Sequence, residues 1–266
     1  MPVDPGKPRK ILVVHGVETG TDADQHQDQL IHDLVADRLG DLNVQFAAEL
    51  YRYENINDQA VAPLKALIDM ILATPVGAKL ADTAIDLVGD VVIAVADTGP
   101  AHEIRAGLRE RIEDEYAAGN PLYIVAHSLG TIYTFDVVNE LMQDPTCFDR
   151  NDRTTWPVQG LVTLGSPIGL ALFRDPRSAV TDRGAGTNCF RWRNYWDRTD
   201  PVISGSFYGK PQQGYQNAEL YAPPGADHGW TIRDRIVDTG KHWLFAHTGY
   251  WTLPIVGDDL VDMVAN

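Results

Sequence analysis

The sequence is short of the features that most quickly place a chain. There are only two cysteines in 266 residues. Cys147 falls in a polar loop and Cys189 at a strand start. No metal-ligand spacing is present, and one possible disulfide says little about compartment. His-Glu-x-x-His and comparable ligand clusters are also missing, so a metal cofactor is not expected. No apolar run is long enough to cross a bilayer. The longest such region, 85–96, is broken by Asp86 and Asp90, and no integral membrane segment is expected. The N-terminus, Met1-Pro2-Val3-Asp4-Pro5-Gly6-Lys7, has no apolar segment ahead of the first strand, so the expectation is no signal peptide and a cytoplasmic protein. Internal repeats and Pro/Gly/Ser-rich linkers are absent, which predicts a single domain over residues 1–266. Positive charge is scarce: 22 Lys and Arg stand against 37 Asp and Glu, a net charge of −15. The acids are scattered and read as a solubilising surface. Phosphate binding needs clustered Lys and Arg, so nucleic acid and anionic membranes are not expected partners. The nearest approach to a basic cluster, Arg191, Arg193 and Arg198, is interleaved with Trp192, Tyr195 and Trp196, as in a strand with alternating faces.

Core-forming residues are ample. The hydrophobic fraction is 44%, with six tryptophans. Lys10 to Val14 is a continuous apolar run, as expected of a central parallel strand covered on both faces, and it closes in His15-Gly16. Asp22 to Leu39 predicts an amphipathic helix with Leu30, Leu34, Val35 and Leu39 on one stripe, and Gly40 as its C-cap. Leu42 to Leu50 is a second strand. Arg105 to Tyr116 is a charged helix expected to pack on the sheet. Val158 to Leu164, Asn188 to Trp196 and Ile232 to Val237 are further strands or short elements, and Asp258 to Val264 a last helix. Strands alternating with helices predict an α/β class, with a mostly parallel central sheet and helices on both faces. Chemistry in such sheets gathers beyond the carboxyl ends of the strands.

The spacing breaks once. Between Leu50 and Leu122 lie Leu64, Leu67, Ile68, Ile71 and Leu72 at helical spacing. A second stripe follows, Leu80, Ala84, Leu87, Val88, Val91 and Val95. We read residues 53–100 as an inserted helical cap or lid, since long excursions in compact domains tend to be functional. The plain alternative is that these helices extend the core.

The most informative stretch is Ile124-Val125-Ala126-His127-Ser128-Leu129-Gly130-Thr131. A β-branched run precedes it and a helical pattern follows, from Ile132 to Met142. Ser128 therefore sits where a strand turns sharply into a helix, with small residues two places to either side. Such a turn strains the serine and exposes its hydroxyl, and small neighbours are needed because strand and helix approach closely. This resembles the Gly-x-Ser-x-Gly nucleophile elbow of the α/β-hydrolases, with Ala126 in place of the first glycine. The resemblance covers the order of elements from residue 10 to about residue 255.

It implies a lipase- or esterase-like serine hydrolase. A serine hydroxyl needs an imidazole to take its proton and a carboxylate to orient that imidazole. The family order is Ser, then acid, then His, which Ser128, Asp200 and His247 fit. By the same resemblance, the backbone N–H groups of Val17 and Leu129 would form the oxyanion hole, with His15 and Gly16 supporting the loop. Competitors exist at each place. Asp197 also ends the strand, but Pro201 fixes the backbone after Asp200. His242 and His228 lie near His247. Ser166 also follows a strand, but it is flanked by Leu164 and Ile168 and followed by Pro167, so it reads as a turn residue. His127 reads as structural. The implied substrate is a small-molecule ester with a hydrophobic acyl group. The same triad could serve an acyltransferase, thioesterase or amidase, and the same fold a non-catalytic binding domain.

Overall fold

The computed structural model describes residues 2–16, 26–40, 42–53, 99–144, 146–149, 151–169, 173, 177, 190–204, 230–241 and 246–265. Six strands form one all-parallel sheet: β1 (Arg9–Val14), β2 (Phe46–Tyr51), β3 (Leu122–His127), β4 (Gly160–Leu164), β5 (Phe190–Asp197) and β6 (Trp230–Val237). Their order across the sheet is β2-β1-β3-β4-β5-β6. Helix α1 (Gln27–Leu39) follows β1, α2 (Gly99–Ala117) precedes β3, and α3 (Gly130–Gln143) follows it. A short α4 (Pro201–Ser204) follows β5, and α5 (Pro254–Ala265) ends the described chain.

Alternate strand residues feed two cores, so the central strands are covered on both faces. Leu12, Val14, Ile124 and Ala126 pack on one face with Ile104, Leu108 and Ile112 of α2 and Ile132 and Phe135 of α3. Ile11, Val13, Tyr123 and Val125 pack on the other with Ile31, Leu34 and Val35 of α1 and Val256, Leu260 and Met263 of α5. This is the expected α/β class, with helices on both faces.

Element ends move for identifiable reasons. The second strand starts at Phe46 rather than Leu42, because Leu42 is half exposed and pairing with β1 begins at Arg9 opposite Phe46. The last helix starts at Pro254, four residues before Asp258, as suits a residue with fixed φ and no N–H to leave unpaired. Helix α2 extends back to Gly99. Gly40 takes φ +52° at the end of α1, where the sequence predicts a glycine cap. The cap expected over 53–100 lies, apart from its two ends, outside the described residues, as do Cys189 and Val17. Among the described residues, no helix is long and apolar enough to cross a membrane.

Connectivity reverses between β1 and β3. From β1 the chain steps outward to β2, then crosses back to β3 and continues the other way. At such a switch point the loops leaving two adjacent strands part and leave a crevice at their carboxyl ends. The loop after β1 is His15-Gly16, and the turn after β3 is Ser128-Leu129.

Candidate active site

Ser128 has φ +53°, in the left-handed region that residues with a Cβ rarely adopt. The strain follows from the chain having to turn from β3 into α3 within two residues. The close approach expected at this turn is present. A Cβ on Gly130 would lie 2.6 Å from the Val14 carbonyl oxygen and would also strike that of His15. A Cβ on Gly16 would lie 2.5 Å from that of Ser128. Both glycines therefore let the loop after β1 and the turn after β3 touch.

The Ser128 Oγ lies 2.8 Å from Nε2 of His247. The Nδ1 of His247 lies 2.9 Å from Oδ2 of Asp200. Asp200 is fully buried. Its other oxygen accepts the Val202 N–H at 2.9 Å, within the turn that opens α4. So the three residues, from the ends of β3 and β5 and from the segment before α5, form one unbroken hydrogen-bonded line. His247 Nδ1 donates to the carboxylate, which leaves Nε2 as the acceptor facing the serine hydroxyl.

Asp197, the competing acid, is committed elsewhere. It accepts from the N–H and hydroxyl of Thr199 and from the N–H and hydroxyl of Thr239, at 2.7–2.8 Å. Burial pushes its carboxyl up, but these four donors outweigh burial and hold it below the usual carboxylate range. Ser166, the competing serine, is buried against the Thr131 hydroxyl at 2.7 Å and takes the Ile168 N–H at 3.3 Å. It is a turn residue, as its flanking residues suggested. Of the histidines competing with His247, residues 228 and 242 lie outside the described residues.

The supporting residues fall beside the serine. His15 is buried, with Nδ1 2.7 Å from the Gly16 carbonyl oxygen, and its ring stacks on Tyr53 with centroids 4.6 Å apart. The Tyr53 hydroxyl donates to the carbonyls of His15, at 2.5 Å, and Gly16, at 2.9 Å. Leu129 is buried at the start of α3, and among the described residues its N–H has no acceptor. A first-turn N–H is an orphan by construction.

Three contributors lie outside the expected site residues. His127 was legible only as structural; its Nε2–H donates to the backbone carbonyl of His247 at 2.7 Å, and the two rings lie 4.7 Å apart. Burial, with the neighbouring His247 next, holds His127 well below the ordinary imidazole value, so it is a neutral prop. Tyr250 donates its hydroxyl to Asp200 Oδ2 at 2.7 Å. Gly165, at φ +57° after β4, has Tyr250 Cε2, His247 Nδ1 and Asp200 Oδ2 2.9–3.2 Å from where its Cβ would be. Only the Thr-Gly-Tyr-Trp that follows His247 could have drawn attention to Tyr250; Gly165 reads as an ordinary turn glycine.

Among the described residues, no group of three or more His, Cys, Asp or Glu is placed to hold a metal ion. No family model matches the chain. No curated protein matches it either. Among solved structures, the crystal structure of TT1662 from Thermus thermophilus aligns with 98% of this chain and 91% of its own, at 14% identity and a TM-score of 0.46. A likeness of that degree carries no statement about chemistry.

Proposed function

We propose that the chain is a serine hydrolase that cleaves carboxylic esters, of the α/β-hydrolase kind that its elbow sequence resembles. One observation carries this reading: the continuous line of short hydrogen bonds from Ser128 through His247 to buried Asp200. Chance juxtaposition is a poor alternative, because a serine held at φ +53° faces an imidazole that is itself held by a buried carboxylate.

In this reading His247 Nε2 takes the Ser128 proton as Oγ attacks the acyl carbon. Asp200 holds the ring in the tautomer with Nδ1 protonated and stabilises the imidazolium. The Leu129 N–H, aimed from the start of α3, receives the tetrahedral oxyanion, with the Val17 N–H as its partner. The imidazolium then protonates the leaving alcohol. Water, deprotonated by the same ring, releases the acyl group and regenerates Ser128. The apolar stripes within 53–100 favour a hydrophobic acyl group. No cofactor enters the scheme.

The test is turnover of a p-nitrophenyl ester by wild type and Ser128→Ala, each with and without EDTA. Loss on substitution, with indifference to chelation, supports the reading. Unchanged turnover in Ser128→Ala overturns it.

A further inference from the structure

Tyr250 is buried, yet its hydroxyl is not merely accommodated. It donates to Asp200 Oδ2 at 2.7 Å and accepts the Asp197 N–H at 2.9 Å. The Asp200 oxygen it meets is the one that takes the His247 Nδ1–H. Two donors thus compete for the same carboxylate oxygen. The position is built for this contact. The Tyr250–Thr252 turn begins three residues after His247. Gly165 leaves room for the ring, since a Cβ there would lie 2.9 Å from Tyr250 Cε2. Gly249 seats the turn on Thr239, whose side chain a Cβ would strike. Burial, and next the Asp200 carboxylate, push the phenol well above the ordinary tyrosine value, so it keeps its proton and stays a donor.

We infer that Tyr250 is a positioning residue that tunes the general base: by sharing Asp200 Oδ2 with His247, its hydroxyl fixes the carboxylate and limits how strongly that carboxylate stabilises the imidazolium. The inference rests on the proposed triad. Among the described residues, the titratable groups facing His247 are Asp200 and, behind it, Asp197 from the end of β5, Tyr250 from its own turn, Ser128, and His127 from β3 with His15 beyond it. Of these only Tyr250 donates to the oxygen that His247 uses. Its proton stays on the phenol throughout; only His247 gains and loses one.

The sign follows from charge sharing. Without the hydroxyl, more negative charge on Oδ2 is left for the ring, the imidazolium is held more firmly, and the acid limb of the kcat/KM profile moves up in pH. Tyr250→Phe removes one oxygen, and with it the donor to Asp200 and the acceptor of the Asp197 N–H. It should raise the acid limb by about half a unit to one unit and lower kcat about 10-fold, with KM changed less than about twofold. Site-specific replacement of Tyr250 by 3-fluorotyrosine, a more acidic and stronger donor of nearly the same shape, should lower the limb instead. That variant carries the test if Tyr250→Phe fails to fold. Opposite shifts in the two variants support the inference. An unmoved limb in either folded, active variant overturns it and leaves the triad standing. Wild type without ester turnover, and without fluorophosphonate labelling of Ser128, overturns the triad and this inference with it.

Discussion

Asp197 and Asp200 are both buried at the end of β5, and their partners set them to different work. In the proposed triad Asp200 orients His247, which it meets at 2.9 Å, so Asp200→Asn should cost up to about 10⁴ in turnover, because the wrong ring tautomer is then favoured. Asp197 ties β5 to the Thr239 turn through two hydrogen bonds and holds Thr199 through two more, so Asp197→Asn should leave kcat within a few-fold and cost about 2 kcal/mol of stability. The folded carboxyl of Asp197 sits below its unfolded value. Its contribution is therefore present above about pH 4 and lost as pH falls through the folded value. Denaturant melts should show the gap between wild type and Asp197→Asn closing below about pH 4. His127 behaves as a base with a depressed folded value. Below about pH 6.5 the unfolded chain takes up a proton that the folded chain refuses, so stability falls as pH falls. His127→Gln can keep a donor toward the His247 carbonyl without that liability. Its melting temperature should depend less on pH between about 7 and 5 than that of wild type, while His127→Leu loses the donor and turnover with it.

The elements show what local pattern can and cannot carry. β1 and β3 were legible because both their faces are covered, which makes them unbroken apolar runs. The elbow was legible because a strand, a small residue, a serine and a helix start are adjacent in sequence. Gly130 is the test of its geometry. Helix propensity alone favours Ala over Gly by about 1 kcal/mol, so Gly130→Ala would stabilise α3 if propensity decided. The added Cβ would instead strike the carbonyls of Val14 and His15, backbone that cannot swing aside. Equilibrium unfolding should find Gly130→Ala destabilised by about 1–3 kcal/mol. Element ends were less legible. Leu42 reads as strand by composition but lies outside the register that Arg9 and Phe46 begin. β6 reads as a short element because Arg233, Asp234 and Arg235 interrupt its apolar pattern, yet it pairs with β5 over its whole length.

Across the whole molecule the site is a product of strand order, and strand order is what a single sequence states least directly. Three of its parts lie at neighbouring strand ends: Gly16 after β1, Ser128 after β3 and Gly165 after β4. Asp200 follows β5, and His247 and Tyr250 come from the segment before α5. The order of Ser, Asp and His along the chain could be read, because it is one-dimensional. The convergence of Tyr250 and Gly165 on Asp200 could not, because it depends on β4 lying beside β5. In the proposed triad, activation of the Ser128 hydroxyl depends on that convergence. Its most direct measurement is the site of covalent labelling by a fluorophosphonate, read by peptide mass spectrometry. Stoichiometric modification is expected at Ser128, slowed by orders of magnitude in Asp200→Asn and absent in Ser128→Ala. Labelling at another residue, or none in the folded wild-type chain, would contradict it.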